Sequence, residues 1–178
     1  MSGTEIVRTT RTRLSSWVDL VAKDLSNPGR TELQTFHSFS QADYVNIVAV
    51  TADRRVPLVR QYRAAVERYT LELPGGLCEL KEDPVATAKR ELMEETGYRV
   101  VAEPELLGRF YPDPGRLENR LWGFFASGIV ADPAAGRDDD VELIVFERKE
   151  LVHLVLDGKI EHAGHAGLIA LAALKGLI

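Results

Sequence analysis

Residues 75–97 restrict what this chain can fold into more than any other segment. Gly75 and Gly76 follow the run Leu71-Glu72-Leu73-Pro74 and open a loop, after which a helix is marked at both ends. Asp83 offers a side chain that can take up free backbone N–H groups, and Pro84 has the φ of a first helical position. Gly97 can adopt the left-handed conformation that closes a helix. The spacing predicts a helix over 84–96 whose apolar stripe, Val85, Ala88 and Leu92, lies on a core while the opposite side stays charged.

Strands surround this helix in the sequence. Tyr44 to Thr51 (YVNIVAVT) and Val56 to Tyr62 (VPLVRQY) are β-branched runs separated by a polar turn, Ala52-Asp53-Arg54-Arg55. Strand-like runs recur at Glu105 to Phe110, Leu121 to Ala126 and Val141 to Phe146, divided by a Pro/Gly loop at 112–115 and a polar stretch at 131–140. The apolar end, Leu168 to Ile178, reads as a helix packed on the domain. Upstream, apolar positions around Trp17, Val18, Leu20 and Val21 stop at Ser26-Asn27-Pro28-Gly29 and resume from Leu33 to Phe39, the pattern of a β-hairpin. Without a regular βαβ alternation, the elements imply an α+β fold with a mixed β-sheet sandwiched between helices. The division expected is an N-terminal hairpin subdomain over 1–43 and a main domain over 44–178.

The balance of charge excludes some partners. With 22 Lys and Arg against 27 Asp and Glu the formal net charge is −5, which argues against nucleic acid, whose non-specific binding depends on clustered cationic side chains. A small anionic ligand is compatible with that charge only where arginines or a metal cation concentrate locally. The one cysteine, Cys78, cannot form an internal disulfide, and the N-terminus lacks the apolar stretch of a secretory signal. Leu168 to Ile178 is interrupted by Lys175 and falls short of the roughly 20 residues that span a bilayer. From these features a cytoplasmic protein without a membrane partner is expected.

The charged side of the central helix carries the chemistry. Glu91, Glu94 and Glu95 are spaced i, i+3 and i+4, with Glu79 and Glu82 in the preceding loop, so several carboxylates crowd one side. Each like-charge pair at such spacing destabilises an isolated helix by roughly 0.2–0.5 kcal/mol. A cation among them removes that cost. Hard oxygen donors select Mg²⁺ or Mn²⁺, and a ligand bearing two phosphates completes the coordination.

Reading on from Gly76, the chain runs through five residues to Glu82, seven more to Arg90-Glu91-Leu92, one to Glu94-Glu95 and one to Gly97-Tyr98. This resembles the signature of the Nudix hydrolases, with every defined position of the 23-residue box matched. The resemblance implies a Nudix fold and a loop, helix and loop whose glutamates bind divalent cations that bridge a substrate diphosphate. It assigns Glu91, Glu95 and Glu94 as metal ligands, with the Gly75 carbonyl as a further donor, and makes Arg90 the residue that orients the cluster through ion pairs, Glu82 among them. Metal-assisted attack of water on phosphorus also needs a carboxylate to take the proton. By the same resemblance that base lies outside the box, ahead of a late strand, where Asp138, Asp139, Asp140 and Glu142 are candidates, Asp139 and Glu142 foremost.

The run Val59-Arg60-Gln61-Tyr62-Arg63, followed by Glu72-Leu73-Pro74-Gly75-Gly76, looks like the ADP-ribose pyrophosphatase and nucleotide-sugar hydrolase branch of that family. The resemblance makes Arg63 a clamp on the diphosphate. Pro114 stands where the branch carries a proline about sixteen residues beyond the box, but Asp113 and Asn119 occupy positions where relatives have serine and glutamate; Glu118 lies one residue earlier and is the substitute candidate for substrate binding. Branch members exchange an N-terminal hairpin across a homodimer and stack the nucleobase on aromatic side chains, which points to Trp17 and Phe36. The expected reaction is Mg²⁺- or Mn²⁺-dependent conversion of ADP-ribose to AMP and ribose 5-phosphate. GDP-mannose, UDP-glucose or a dinucleoside polyphosphate are alternative substrates, and a non-catalytic ligand-binding module is the alternative of a different class. His153, His162 and His165 lack ligand-like spacing and read as structural or surface residues.

Overall fold

The computed structural model describes residues 3–136 and 138–178. The expected hairpin is present as β2 (Asp19–Ser26) and β3 (Gln34–Ser40), and a further strand, β1 (Glu5–Arg13), pairs antiparallel with β2. All nine residues of β1 are exposed, so no apolar alternation announced it. Residues 1–42 form one compact unit together with Tyr111–Arg120. That segment is tied in by the Phe39 amide donating to the Arg116 carbonyl (2.7 Å) and the Glu118 amide donating to the Phe39 carbonyl (3.0 Å). The unit is therefore discontinuous in sequence, where a single division after residue 43 was expected.

The second unit, Asp43–Phe110 with Leu121–Ile178, contains the remaining elements. These are β4 (Tyr44–Thr51), β5 (Arg55–Arg63), β6 (Arg68–Glu72), α1 (Pro84–Thr96), β7 (Tyr98–Arg99), β8 (Glu105–Phe110), β9 (Leu121–Ala131), β10 (Glu142–Glu147), α2 (Leu151–Leu156) and α3 (Ala163–Leu174). Strand β4 runs parallel to β9, and β9 pairs antiparallel with β7 and β8; a second sheet has the order β10-β5-β6 and is antiparallel.

The largely apolar run of β4, interrupted by Asn46, follows from burial of both its faces, as expected of a strand with a parallel neighbour. Val45, Ile47 and Ala49 pack with Phe124 and Ala126 of β9 and with Ala88 and Leu92 of α1. Val48 and Val50 belong to a second cluster with Leu121 and Phe125 of β9, Leu151 of α2, and Leu168, Ile169 and Ala172 of α3. Alternation along the strand thus binds one helix layer to each side. Helix α1 has the bounds read from its caps: Asp83 Oδ1 accepts from the Val85 amide (2.8 Å), and Gly97, at φ 72°, donates its amide to the Met93 carbonyl (2.8 Å). Helix α3 starts five residues earlier than the apolar run suggested, because His162 caps it, and it ends before Gly176, whose φ is 72°. No helix among the described residues is long and apolar enough to cross a membrane.

Candidate active site

Helix α1 divides its carboxylates by face. Glu91 and Glu95, one turn apart, sit on the inner side with Leu92, whereas the Glu94 side chain is 52% exposed. Glu95 is only 7% exposed, and its Oε2 accepts the Gly75 amide at 2.9 Å. Gly76 lies so close to Glu91 that a Cβ there would fall 2.4 Å from Oε1 and displace the carboxylate, whereas at Gly75 a Cβ would meet the Val45 carbonyl oxygen at 2.1 Å, which makes glycine necessary at 75. The loop itself is laid along β4 by the Val45 amide donating to the Gly76 carbonyl (2.9 Å) and the Ile47 amide donating to Pro74 (3.0 Å).

Arg90 gathers the remaining acids. Its guanidinium makes a two-pronged contact with Glu82 (3.0 Å to each oxygen) and reaches Glu91 (2.7 Å), Glu94 (2.9 Å) and the Leu77 carbonyl (3.3 Å). That arrangement holds Glu82 down to about 2, the Arg90 hydrogen bonds outweighing burial. Burial acts the other way on the inner pair. It raises Glu91 in spite of Arg90, and it pushes Glu95 up to about 8, because one backbone amide and the more distant Arg63 do not replace the lost water. Glu91, paired with Arg90, and Glu95, which no cationic side chain among the described residues hydrogen-bonds, form beside the glycine loop an oxygen-donor set suited to a hard divalent cation. With Arg90 among the acids and Glu95 turned to the Gly75 amide, no group of three or more acidic, His or Cys side chains among the described residues is disposed around one point.

Glu95, Gly75 and Gly76 open onto a cavity of about 200 Å³ that Asn46, Arg63 and Glu72 also line. Arg63 binds Glu72 through two hydrogen bonds (2.8 and 2.7 Å), and Glu72 is 2% exposed. Burial would raise the Glu72 carboxyl, but the Arg63 and Thr70 hydrogen bonds outweigh it and leave the pKa lowered. The same cavity is lined by His162 and His165, which sequence reasoning had set aside as structural or surface residues. Their rings stack with centroids 4.1 Å apart, and His165 Nδ1 accepts the Leu73 amide at 3.1 Å. Nothing in their spacing signals this, since Leu73 lies 92 residues upstream of its partner.

The other candidates take separate places. Asp138, Asp139 and Asp140 form a turn in which Asp138 Oδ1 accepts the Asp140 amide (3.0 Å), while the Asp138 amide donates to the Glu94 carbonyl (2.9 Å). The turn is thereby pinned to the end of α1. Glu142 instead pairs with Arg60 across the β10–β5 register (2.9 Å). In the N-terminal unit Glu118 is taken up by Lys23, Arg11 (3.2 Å) and Ser38 (3.3 Å), with Lys23 the main cause of its lowered pKa. Trp17 and Phe36 are 69% and 55% exposed. Asn119 is buried, and its Oδ1 accepts from Gln41 at 3.3 Å.

Residues 41–165 match the NUDIX domain model, most of the chain and the whole of the α1 site. The chain belongs to the Nudix family. Among relatives of this Nudix protein, the ADP-ribose pyrophosphatase of Bacillus subtilis (strain 168) is 30% identical over 162 residues, covering 89% of this chain and 86% of that protein. The methanol dehydrogenase activator of Bacillus methanolicus is 35% identical over 119 residues, 66% of this chain but only 60% of the activator. The ADP-ribose pyrophosphatase of Mycobacterium tuberculosis is 32% identical over 134 residues, covering 72% of this chain and 64% of that protein. A solved structure described as an ADP compounds hydrolase superposes with a TM-score of 0.84 over 99% of this chain and 97% of its own, at 19% identity, which establishes the α+β Nudix fold.

Proposed function

We propose that this protein is a divalent-metal-dependent hydrolase of the diphosphate linkage in nucleoside diphosphate sugars, with ADP-ribose, cleaved to AMP and ribose 5-phosphate, as its substrate. The observation that carries the reading is partly buried Glu91 and buried Glu95 against the Gly75-Gly76 loop, with Glu95 and the loop opening onto a cavity with Arg63. The ADP-ribose pyrophosphatases among its relatives support the choice of substrate.

In this reading Glu91, Glu95, Glu94 and the Gly75 carbonyl would hold Mg²⁺ or Mn²⁺, which would supply neutralisation of phosphate charge and a more acidic water. Arg90 holds Glu82, Glu91 and Glu94 together. Arg63, already aligned by Glu72, presents its half-exposed guanidinium to a phosphate. Asp139 is the better base of the two foremost candidates, because its turn is anchored at Glu94 whereas Glu142 is engaged by Arg60. Trp17 and Phe36, as exposed aromatics, serve the nucleobase or a homodimer contact, and Glu118 helps hold the substrate. The cytoplasm is the proposed location.

The test is product analysis after incubation with Mg²⁺ and, in separate reactions, ADP-ribose, GDP-mannose, UDP-glucose and a diadenosine polyphosphate. AMP and ribose 5-phosphate should form from ADP-ribose, and Glu95→Gln should slow this by at least about a hundredfold. Faster cleavage of another compound would overturn the substrate assignment. Binding without cleavage of any of them would overturn the hydrolase itself.

A further inference from the structure

The residue His162 caps α3 with an unusual side chain. Caps are ordinarily Asn, Asp, Ser or Thr, whose oxygens accept the free N–H groups of the first turn. Here His162 Nδ1 does so, taking the Gly164 amide at 3.1 Å. Gly164 leaves room for the ring, because a Cβ there would meet His162 Cε1 at 3.1 Å. With Nδ1 used as an acceptor, the neutral imidazole must carry its proton on Nε2. The ring is also braced. It stacks at 26° on His165, which is buried and itself fixed through Nδ1 by the Leu73 amide. A cap that is also a rigid N–H donor therefore lines the cavity shared by Glu95 and the Gly75-Gly76 loop.

Charge explains why an imidazole suits this place. An aspartate would cap α3 more strongly but would add a third carboxyl group to a cavity already lined by Glu72 and Glu95, against an anionic ligand. A second, independent observation concerns Asn46, which lines the same cavity at 3% exposure. Its Oδ1 finds no hydrogen-bond partner among the described residues. A buried carbonyl oxygen left over is costly unless a donor meets it, and in a nucleoside diphosphate sugar that donor is a ribose hydroxyl or a water rather than the diphosphate itself.

We propose that His162 is a substrate-binding residue, its Nε2–H donated to a diphosphate oxygen of the bound nucleoside diphosphate. This rests on the hydrolase reading above for its substrate and adds a residue that the metal-binding helix does not supply. Partial burial of the ring lowers the His162 pKa, which favours the neutral imidazole.

His162→Asn separates capping from binding, since Asn retains a capping oxygen but loses the imidazole N–H. Two measurements are paired: steady-state kinetics with ADP-ribose, and calorimetric titration of the Mg²⁺-loaded protein with α,β-methylene-ADP. The variant should melt within about 2 °C of the native protein, raise KM about tenfold with kcat within about twofold, and weaken α,β-methylene-ADP by a similar factor. Unchanged KM and unchanged affinity would reduce His162 to a helix cap and overturn the proposal. If the native protein leaves ADP-ribose uncleaved, the hydrolase reading fails, and the methylene-ADP arm alone decides His162. Equal affinity of the two proteins, or binding by neither, then overturns it.

Discussion

Gly76 and Glu91 are so close that a side chain at 76 would displace the Glu91 carboxylate. A methyl group at 76 would sit 2.4 Å from Glu91 Oε1, so either the carboxylate or the loop must move. Because a displacement of about 1 Å at a reacting centre can cost roughly a hundredfold, Gly76→Ala should lower kcat/KM for ADP-ribose by about that factor. Its melting temperature should fall by only a few degrees. Activity within tenfold of native would mean that Glu91 does not need its present position. Buried His165 permits a prediction about pH. Burial pushes its pKa down to about 3 from an ordinary 6.5, so the unfolded chain takes up this proton at a higher pH than the folded one. Its contribution to stability is complete above pH 6.5 and declines as pH falls towards 3, by at most about 1.4 kcal/mol per pH unit. Melting curves at pH 7 and pH 5 should therefore differ less in His165→Asn, which keeps an acceptor for Leu73, than in the native protein. An equal difference in both would refute a neutral buried His165. The clustering of Glu91, Glu94 and Glu95 was legible from spacing because they lie on one helix. His162 and His165 were not, since what defines them is contact with a loop far away in sequence.

At the scale of elements, legibility followed local chemistry. Helix α1 was readable to the residue because Asp83, Pro84 and Gly97 each act within one turn. Strand β4 was readable because both its faces are buried, whereas β1, exposed at every position, offered no periodicity at all. The start of α3 was misplaced for a related reason: its first turn holds glycine, alanine and histidine, and histidine is an uncommon cap. The Asp83 cap yields its own prediction. Asp83→Ala removes the acceptor for the Val85 amide and should cost about 1 kcal/mol, or roughly 2–4 °C in melting temperature for a chain of this size. Since Glu91 and Glu95 lie two and three turns further along and are held by the core beneath Leu92, kcat should stay within about threefold. A large fall in kcat at unchanged folded fraction would mean that the cap positions the acidic face as well as stabilising it.

For the whole molecule, the tie between 111–120 and the N-terminal strands could not be read from sequence, because it depends on backbone hydrogen bonds from Phe39 to a loop some 80 residues later. Composition along a segment carries no record of such pairing. The N-terminal unit also exposes Ile6, Val7, Leu14, Trp17, Leu33 and Phe36, each more than half accessible. Scattered apolar side chains are ordinary on a surface, but large aromatics concentrated in one small unit mark an interaction site more often. Covering them in a homodimer and using Trp17 to stack a nucleobase are distinct proposals with distinct signatures. Light scattering coupled to size exclusion should give about twice the chain mass for the native protein. The double variant Trp17→Ala, Phe36→Ala should then shift towards the monomer if these rings are interface anchors, where truncation of a central aromatic commonly costs 2 kcal/mol or more. If they serve the base alone, the dimer should persist while KM for ADP-ribose rises about tenfold at constant kcat, loss of uniform binding being the cause. A native monomer with unaltered kinetics in the variant would deprive both aromatics of either role.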